Sequence, residues 1–475
     1  MTGSERAWTR QLPWAGVLTA LVGLVLYMAL FRLGVGEWNL DELTYRAAGH
    51  AYLQGHFVLN PEHPLLAKLL FGVSQLVLGS GAFAVRVVSA IASICIAVGL
   101  WAVARRRYGR LAGLGAVLGW ALLPHVPPPV SRLAPLEPVT TALACASLVF
   151  GWLWLSRGTL GWAVACGGFA GLAAGAKLTG GSALLAVLLT AALFRRTPHR
   201  LRTALAAVAA AIVAFLVTYL PAGSRGPSML RAMIRFQLRH AQRGHPLLIG
   251  GHVYQFAPWW TTLYYQWLAL GWVALFALVA LALVAVLRTT GEERTFVVYL
   301  VLAVALPLAL LSFSPVQLPH YGYLVQPPMV LLSVVGLLKL CQLKLRRPRL
   351  TWLPQIAAAA LVVPLAIAGG QQVVAVSDTA PSGYALLPHA LRTSPAGSVL
   401  VWGYVEVAQA YLGARASANV CRQTGCAEAA VVIDRDVAKR FADPAVAAYL
   451  ATHSRQLLCR AFHQFTICRP LPRTR

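Results

Sequence analysis

Charge is what this chain has least of. Only 11% of its 475 residues are Asp, Glu, Lys or Arg, against about a quarter in an ordinary soluble domain. With 58% hydrophobic residues and a mean hydropathy of +0.67, a water-soluble globule is excluded. The apolar runs do not alternate, which excludes a closed β-barrel. The first run, 12–33, lacks a small-x-small cleavage site after it and is too long for a signal core. With Arg6 and Arg10 before it, this run is expected to stay as a span. No internal repeat relates two halves, as many transporters would show. No CxxC pair occurs, which argues against structural zinc.

What remains is a polytopic α-helical membrane protein. About eleven apolar runs read as spans: 12–33, 82–104, 111–125, 135–156, 160–177, 181–195, 202–221, 259–288, 294–313, 321–342 and 352–375. The net charge of +26 does not point to nucleic acid. Its arginines sit in short loops beside spans: Arg105-Arg106-Arg107 with Arg110, Arg195-Arg196 with Arg200 and Arg202, and Lys344 with Arg346, Arg347 and Arg349. That is the positive-inside pattern, with contact to anionic membrane lipid. It predicts a cytoplasmic N-terminus, in an inner or plasma membrane, and outer loops at 34–81, 126–134, 178–180, 222–258 and 314–320.

With only 14 acids in the chain, each position is informative. Glu37, Asp41, Glu42, Glu62 and Glu137 all fall on the expected outer side, in or beside the first two outer loops. The long loop 34–81 reads as two amphipathic interfacial helices. Leu43, Ala47, Ala51 and Tyr52 share one face, as do Leu66, Leu69, Leu70 and Val73, and turns fall at Asn60-Pro61 and His63-Pro64. Ser228–His240, with Arg231, Arg235 and Arg239, reads as a similar element.

The domain expectation is a transmembrane part, 1–375, and a small extracytoplasmic α/β domain, 376–475. In the second, Ser398–Tyr404 and Ala429–Asp434 read as strands, Val405–Ala414 and Asp436–Leu450 as helices, and Arg455–Phe462 with Phe465–Pro470 as a hairpin. Cys95, Cys145, Cys166 and Cys341 lie in spans as apolar fillers. Cys421, Cys426, Cys459 and Cys468 lie in the tail, on the oxidising side, where four cysteines allow three pairings. A turn at His463-Gln464 would set Cys459 opposite Cys468, leaving Cys421 with Cys426. Asp434-Arg435-Asp436 is the lone Asp-x-Asp. It sits at a strand end and reads as a helix cap, so no cofactor is demanded; a divalent cation is left open.

The stretch DELTYRAAGHAYLQGHFVLNPEHPLLAKLL, 41–70, resembles the first outer loop of the GT-C membrane glycosyltransferases, in the branch of protein O-mannosyltransferases and lipid A aminoarabinose transferases. The shared features are Asp41-Glu42, Tyr45, Gly49, His63-Pro64-Leu65 and Lys68; Leu65 stands where the pattern has a second proline. SRLAPLEP with Glu137, GLAAGAKLTG with Lys177, and GHPLLIGG followed by APWWTTLYY are also similar. In HYGYLVQPP, His320 stands where an arginine is usual. The resemblance covers about residues 12–375.

It implies an inverting transferase that moves a hexose or pentose from a polyprenyl-phosphate donor to a protein, lipid or glycan acceptor. Such a reaction needs a carboxylate to take the acceptor's proton and cations to hold the departing phosphate. Asp41 is the candidate base, Glu42 its orienting partner, and Glu137 the candidate holder of acceptor or sugar hydroxyls. Lys68, Lys177 and Arg239 form the candidate phosphate clamp, helped by His63 and His320. Other roles are available to the same residues. Asp41 and Glu42 suit a helix N-terminus capped by Asn39, and Lys68 and Lys177 suit snorkelling. A flippase for the lipid-linked sugar and a scaffold with a partner-binding tail are the competing functions. The first lacks acids at mid-membrane, and the second leaves the 41–68 cluster unexplained.

Overall fold

The computed structural model describes residues 14–123, 130–194, 200–343, 352–381, 383–392, 399–412, 416–417, 430–438, 447, 450–452 and 457–471. The chain divides into two compact units, one of residues 1–33 and 45–378, the other of 34–44 and 379–475.

The first unit is helical. Its helices are α1 (Trp14–Leu30), most of α2 (Leu40–Leu53), α3 (Leu66–Leu78), α4 (Ala82–Tyr108), α5 (Arg110–Leu122), α6 (Glu137–Arg157), α7 (Leu160–Ala176), α8 (Ser182–Phe194), α9 (Arg200–Val217) and α10 (Gly226–Arg243). After a short hairpin, β1 (Leu247–Ile249) and β2 (His252–Tyr254), come α11 (Thr261–Arg288), α12 (Gly291–Ser312), α13 (Gln326–Cys341) and α14 (Leu353–Ser377). A 3₁₀ turn, Pro319–Val325, leads into α13. An apolar helix thus occupies each run read as a span. Among the described residues, six are long and apolar enough to cross a bilayer, or up to seven if α9 and α10, bent by 74°, count as one. Five more among the described residues, α1, α3, α5, α7 and the 178–194 segment, are shorter apolar helices. The protein is an integral membrane protein.

Helices in lipid associate through small residues, because apolar burial against apolar lipid gives little drive. Gly167, Gly171 and Gly175 on α7 show this. A Cβ there would lie 2.9 Å from the Cα of Ala207, 2.8 Å from the Cα of Ala211 and 2.9 Å from Thr218 Oγ1. A side chain at Gly167 or Gly171 would force α9 away from α7, and one at Gly175 would collide with the Thr218 side chain just beyond α9. The break after α7 follows directly. Lys177 is extended (φ −155°, ψ 135°), and Leu178–Gly181 forms a 3₁₀ turn with Gly180 against Ala173.

The two amphipathic helices of the first loop are present as α2 and α3, and on α2 Ala51 and Tyr52 of the expected face are buried. On α3, Leu70 and Val73 are exposed, while Ala67, Lys68, Phe71, Gly72 and Gln75 are buried. On α2, Tyr45, Ala48 and Tyr52 are buried and Ala47 is exposed. The reason is the solvent: beside lipid the leucines face outward, and polar groups turn inward to partners. Gln75 Nε2 donates to the carbonyls of Arg46 and Phe71, both at 3.1 Å. Gly49 lets the helices touch, since a Cβ there would lie 2.8 Å from Gly72 N.

The second unit carries α15 (Gly383–Ala390), β3 (Val399–Trp402), α16 (Val405–Leu412), β4 (Ala416–Ser417), β5 (Ala430–Asp434), α17 (Arg435–Ala438), β6 (Leu457–Phe462) and β7 (Phe465–Pro470). The sheet order is β4-β3-β5-β7-β6. β3 runs parallel to β4 and β5, and β7 antiparallel to β5 and β6. The expected hairpin is there: Phe462 faces Phe465 across His463-Gln464, and His463 takes the left-handed φ of 49°. The main-chain N–H of Arg435 donates to the Gln464 carbonyl at 3.0 Å, and its side chain binds the His463 carbonyl. Cys459 pairs with Cys468 in register and is bonded to it as a disulfide, with Cα atoms 3.9 Å apart. Asp434 caps α17 as expected, its Oδ1 accepting from Val437 N at 3.3 Å. Cys421 and Cys426, the basic residues at 195–196 and 344–349, and most of the expected helix 436–450 lie outside the described residues.

Candidate active site

α2 opens with a reciprocal capping box. The Asn39 side chain accepts from Asp41 N at 2.9 Å, and Glu42 Oε2 accepts from Asn39 N at 2.8 Å. Two N–H groups that the helix cannot satisfy internally are thereby satisfied. Glu42 is fully buried in this role, while Asp41 remains part-exposed in the first turn. The adjacent acids therefore differ in kind: Glu42 builds the helix start, and Asp41 presents a carboxylate at it. Asn39, Asp41 and Glu42 are grouped with the second unit.

Lys68 is also structural in its contacts. Its Nζ donates to Asn60 O (2.6 Å), His63 O (2.8 Å), Tyr52 Oη (3.1 Å) and Asn60 Oδ1 (3.2 Å). The ammonium ties the end of α2 to the 59–63 turn, where Asn60 adopts φ 48°. Tyr52 Oη in turn donates to the Leu59 carbonyl at 2.6 Å. Burial pushes the Lys68 ammonium down to about 7, with Glu62 opposing. Lys68 is thus engaged with neutral oxygens that shape the loop holding Glu62 and His63.

The charged centre of the first unit is Glu137. It stands at the first residue of α6, where a helix N-terminus favours negative charge. Lys177 Nζ donates to its Oε1, and His320 Nε2 lies 3.6 Å from the same oxygen. Glu137 and Lys177 are both buried. Three distant segments meet here: the start of α6, the break after α7 and the 3₁₀ turn before α13. That turn is held by Gln317, whose Oε1 accepts from Thr262 N at 2.8 Å and Thr262 Oγ1 at 2.6 Å. Lys177 Nζ also sits 3.4 Å from the centre of the Tyr321 ring, a cation–π contact.

His63 is coupled electrostatically to this group. Its pKa is held well below the usual histidine value by burial, then by the positive charges of Lys177 and Lys68 and by His320 and His240. Its ring packs edge-on against Tyr45 at 6.0 Å. α10 closes the loop from the other side: Gln237 Nε2 donates to the Glu62 carbonyl at 2.8 Å. His240 stacks on His245 at 5.7 Å, and its buried Nε2 has no hydrogen-bond partner among the described residues. Arg239, one position before it, is exposed on α10.

Of the residues singled out by sequence, Glu137, Lys177 and His320 are brought together, and His63 lies in the turn that Lys68 holds. Arg239 points to solvent. Tyr321 was missed, and His240 reads with Arg239 and His245 as a solvated loop face. A signal existed for Tyr321, because it follows the histidine that replaces the usual arginine. For His240 the sequence showed only a basic amphipathic face. Among the described residues no group of three or more His, Cys, Asp or Glu is gathered as a metal site requires.

Residues 62–221 match the family of dolichyl-phosphate-mannose-protein mannosyltransferases. No curated protein matches the chain. Among solved structures, ArnT from Cupriavidus metallidurans bound to undecaprenyl phosphate aligns with a TM-score of 0.59 at 14% identity, covering 96% of this chain and 98% of that chain. Its apo state aligns with a TM-score of 0.62 at the same coverage and identity. The archaeal oligosaccharyltransferase AglB from Archaeoglobus fulgidus, in complex with an inhibitory peptide and a dolichol-phosphate, aligns with a TM-score of 0.54 at 11% identity, covering 100% of this chain and 76% of that chain.

The fold is that of the GT-C membrane glycosyltransferases. Within that class the likeness to ArnT extends over both units, and the mannosyltransferase match covers the segment holding His63, Lys68, Glu137 and Lys177.

Proposed function

We propose that this chain is a glycosyltransferase that moves a sugar from a polyprenyl-phosphate donor to an acceptor on the outer face of the membrane, inverting the anomeric carbon. One observation carries the site assignment: a buried carboxylate, Glu137, is shared by Lys177 and His320.

The donor's phosphate leaves with growing negative charge. Preorganised cations in a water-poor site stabilise that charge without reorganising. Lys177 is fixed for the task by Glu137 on one side and Tyr321 on the other. An arriving phosphate would share the Lys177 ammonium with Glu137. His320 and His63 supply imidazole N–H groups, and the phosphate's charge favours their protonation. His240, with its unpartnered nitrogen, is a further donor to the leaving oxygen. Glu137 in this reading positions the cation rather than binding sugar hydroxyls. Lys68 positions the His63 loop. Arg239, exposed on α10, is assigned to meeting an anionic headgroup or acceptor at the site's edge.

Asp41 is the proposed base. It takes the acceptor proton while the acceptor oxygen attacks C1 and the C1–O(phosphate) bond breaks. Attack from the face opposite the phosphate inverts C1. A flippase would need neither the base nor the fixed cation. The relatives named above, ArnT bound to undecaprenyl phosphate and AglB bound to dolichol-phosphate, support a lipid-linked donor here. The Arg-rich helix ends support a cytoplasmic N-terminus in the inner or plasma membrane.

The test is transfer by the purified full-length chain with undecaprenyl-phosphate sugars. Asp41→Ala should retain donor binding and lose transfer. Undiminished transfer by that variant sinks the base assignment. Failure of the wild type to bind any polyprenyl-phosphate sugar sinks the enzyme reading.

A further inference from the structure

A cavity lies away from Glu137, at the opposite end of α6. It measures about 690 Å³ and is lined by Arg105, Arg106 and Arg107 from the last turn of α4, Arg157 from the last turn of α6, and Glu292 from the first turn of α12. Trp101, Trp152, Val149 and Leu153 complete its walls. Four arginines against one carboxylate make it strongly basic.

The positive-inside rule accounts for arginines at these helix ends. It does not require three helix ends to converge around a cavity with tryptophan walls. Nor does it require one guanidinium to be fixed. Arg107 lies 4.5 Å from the centre of the Trp152 ring and 5.1 Å from that of Phe296, and its Nε donates to Tyr108 Oη at 3.4 Å. Arg105 stacks on Trp101 at 5.7 Å. Stacked guanidinium planes leave their N–H edges for a bidentate partner, which phosphate matches. Below the arginines the lining turns apolar, at Val149 and Leu153 one to two turns back along α6. Basic above and apolar below is the profile of a lipid: phosphate at headgroup depth, acyl chains along the spans.

We propose that this cavity binds an anionic phospholipid, its phosphate held by Arg105, Arg106, Arg107 and Arg157. This basic-edge site is independent of the transfer reaction. Occupancy would brace the ends of α4, α6 and α12 against one another. The proposal commits to a lipid; inorganic phosphate shares the headgroup chemistry but not the apolar half.

The experiment uses the purified full-length chain in detergent, titrated with tetraoleoyl cardiolipin, dioleoyl phosphatidylcholine and inorganic phosphate. It is read by native mass spectrometry and thermal unfolding. Cardiolipin should be retained in preference to phosphatidylcholine and should raise the unfolding temperature; excess inorganic phosphate should not displace it. Combined Arg105→Gln, Arg106→Gln and Arg157→Gln should weaken retention by about fivefold for each arginine removed. Arg288→Gln, outside the cavity, should leave it unchanged. Arg107 is kept because its ring contacts are part of the fold. Equal retention of phosphatidylcholine by the wild type overturns the proposal, whatever the variants do. So does displacement of the lipid by inorganic phosphate, which would make this a free-anion site. Unchanged cardiolipin retention in the triple variant overturns it as well.

Discussion

The Glu137 carboxylate accepts a hydrogen bond from the Lys177 ammonium across 40 residues of sequence, and both side chains are buried. A buried pair of this kind is costly to break by halves, because the survivor is left charged and unpaired. Removing one partner typically costs about 3–5 kcal/mol. Lys177→Met and Glu137→Gln should each lower the unfolding temperature of the purified protein and abolish transfer. The double variant should be less destabilised than the sum of the two, and still inactive. Full additivity in thermal unfolding would show that the two residues do not act as a pair.

Asp41 and Glu42 should separate in a transfer assay although they are adjacent. Asp41→Asn should cut turnover by about 10²–10⁴-fold, the range of a lost general base, with unchanged thermal stability. Glu42→Ala removes half of a capping box. It should cost about 1 kcal/mol of stability and reduce turnover far less. Equal loss of turnover in both would assign Glu42 a role beyond the cap.

Lys68→Met should act on folding before it acts on chemistry. It removes the donor to the His63 carbonyl and one of the two donors to the Asn60 carbonyl, which keeps only the 3.2 Å bond from Tyr52 Oη. An orphaned buried group costs about 1–3 kcal/mol. The expected result is a fall of several degrees in unfolding temperature, with protease cutting in the 54–65 turn. A stable variant with selectively raised donor KM would instead place Lys68 on the phosphate.

Two groups should shape stability against pH in opposite directions. His63 has a lowered pKa, so the unfolded chain binds its proton more readily. Its contribution is present above about pH 6.5 and is lost as pH falls from there towards the folded value. Glu37 has a raised pKa, from burial first and then the charge of Asp434. Its contribution is present below about pH 4.5 and is lost as pH rises through the folded value. His63→Gln should therefore blunt the acid-side loss in a thermal-unfolding series. Glu37→Gln should raise the unfolding temperature at pH 7 relative to the wild type. The reverse signs would show that neither burial persists in solution.

Much of the fold was legible because lipid imposes a simple rule: each spanning segment must satisfy its own backbone, so apolar runs alone mark the helices. The hairpin and its disulfide were legible for a similar local reason, since a two-residue turn fixes which residues face each other. The site was legible in part. Glu137, Lys177, His63 and His320 stood out because charged and imidazole groups are rare in such a chain. Tyr321 did not, because an aromatic at a span start has commoner explanations, and His240 read as part of a solvated basic face.

By itself the sequence determined where the helices lie, which of their ends are basic and which loop carries the acids. Those properties follow from composition along the chain. Only the tertiary structure decided how the polar residues are used. It turned Lys68 inward to carbonyls, gave Glu42 to a cap and grouped 34–44 with the distant tail. It also joined Lys177 to Glu137. These choices depend on which partners come within about 3 Å, and that distance is set by helix crossings, such as the glycine stripe of α7 against α9, rather than by the order of residues.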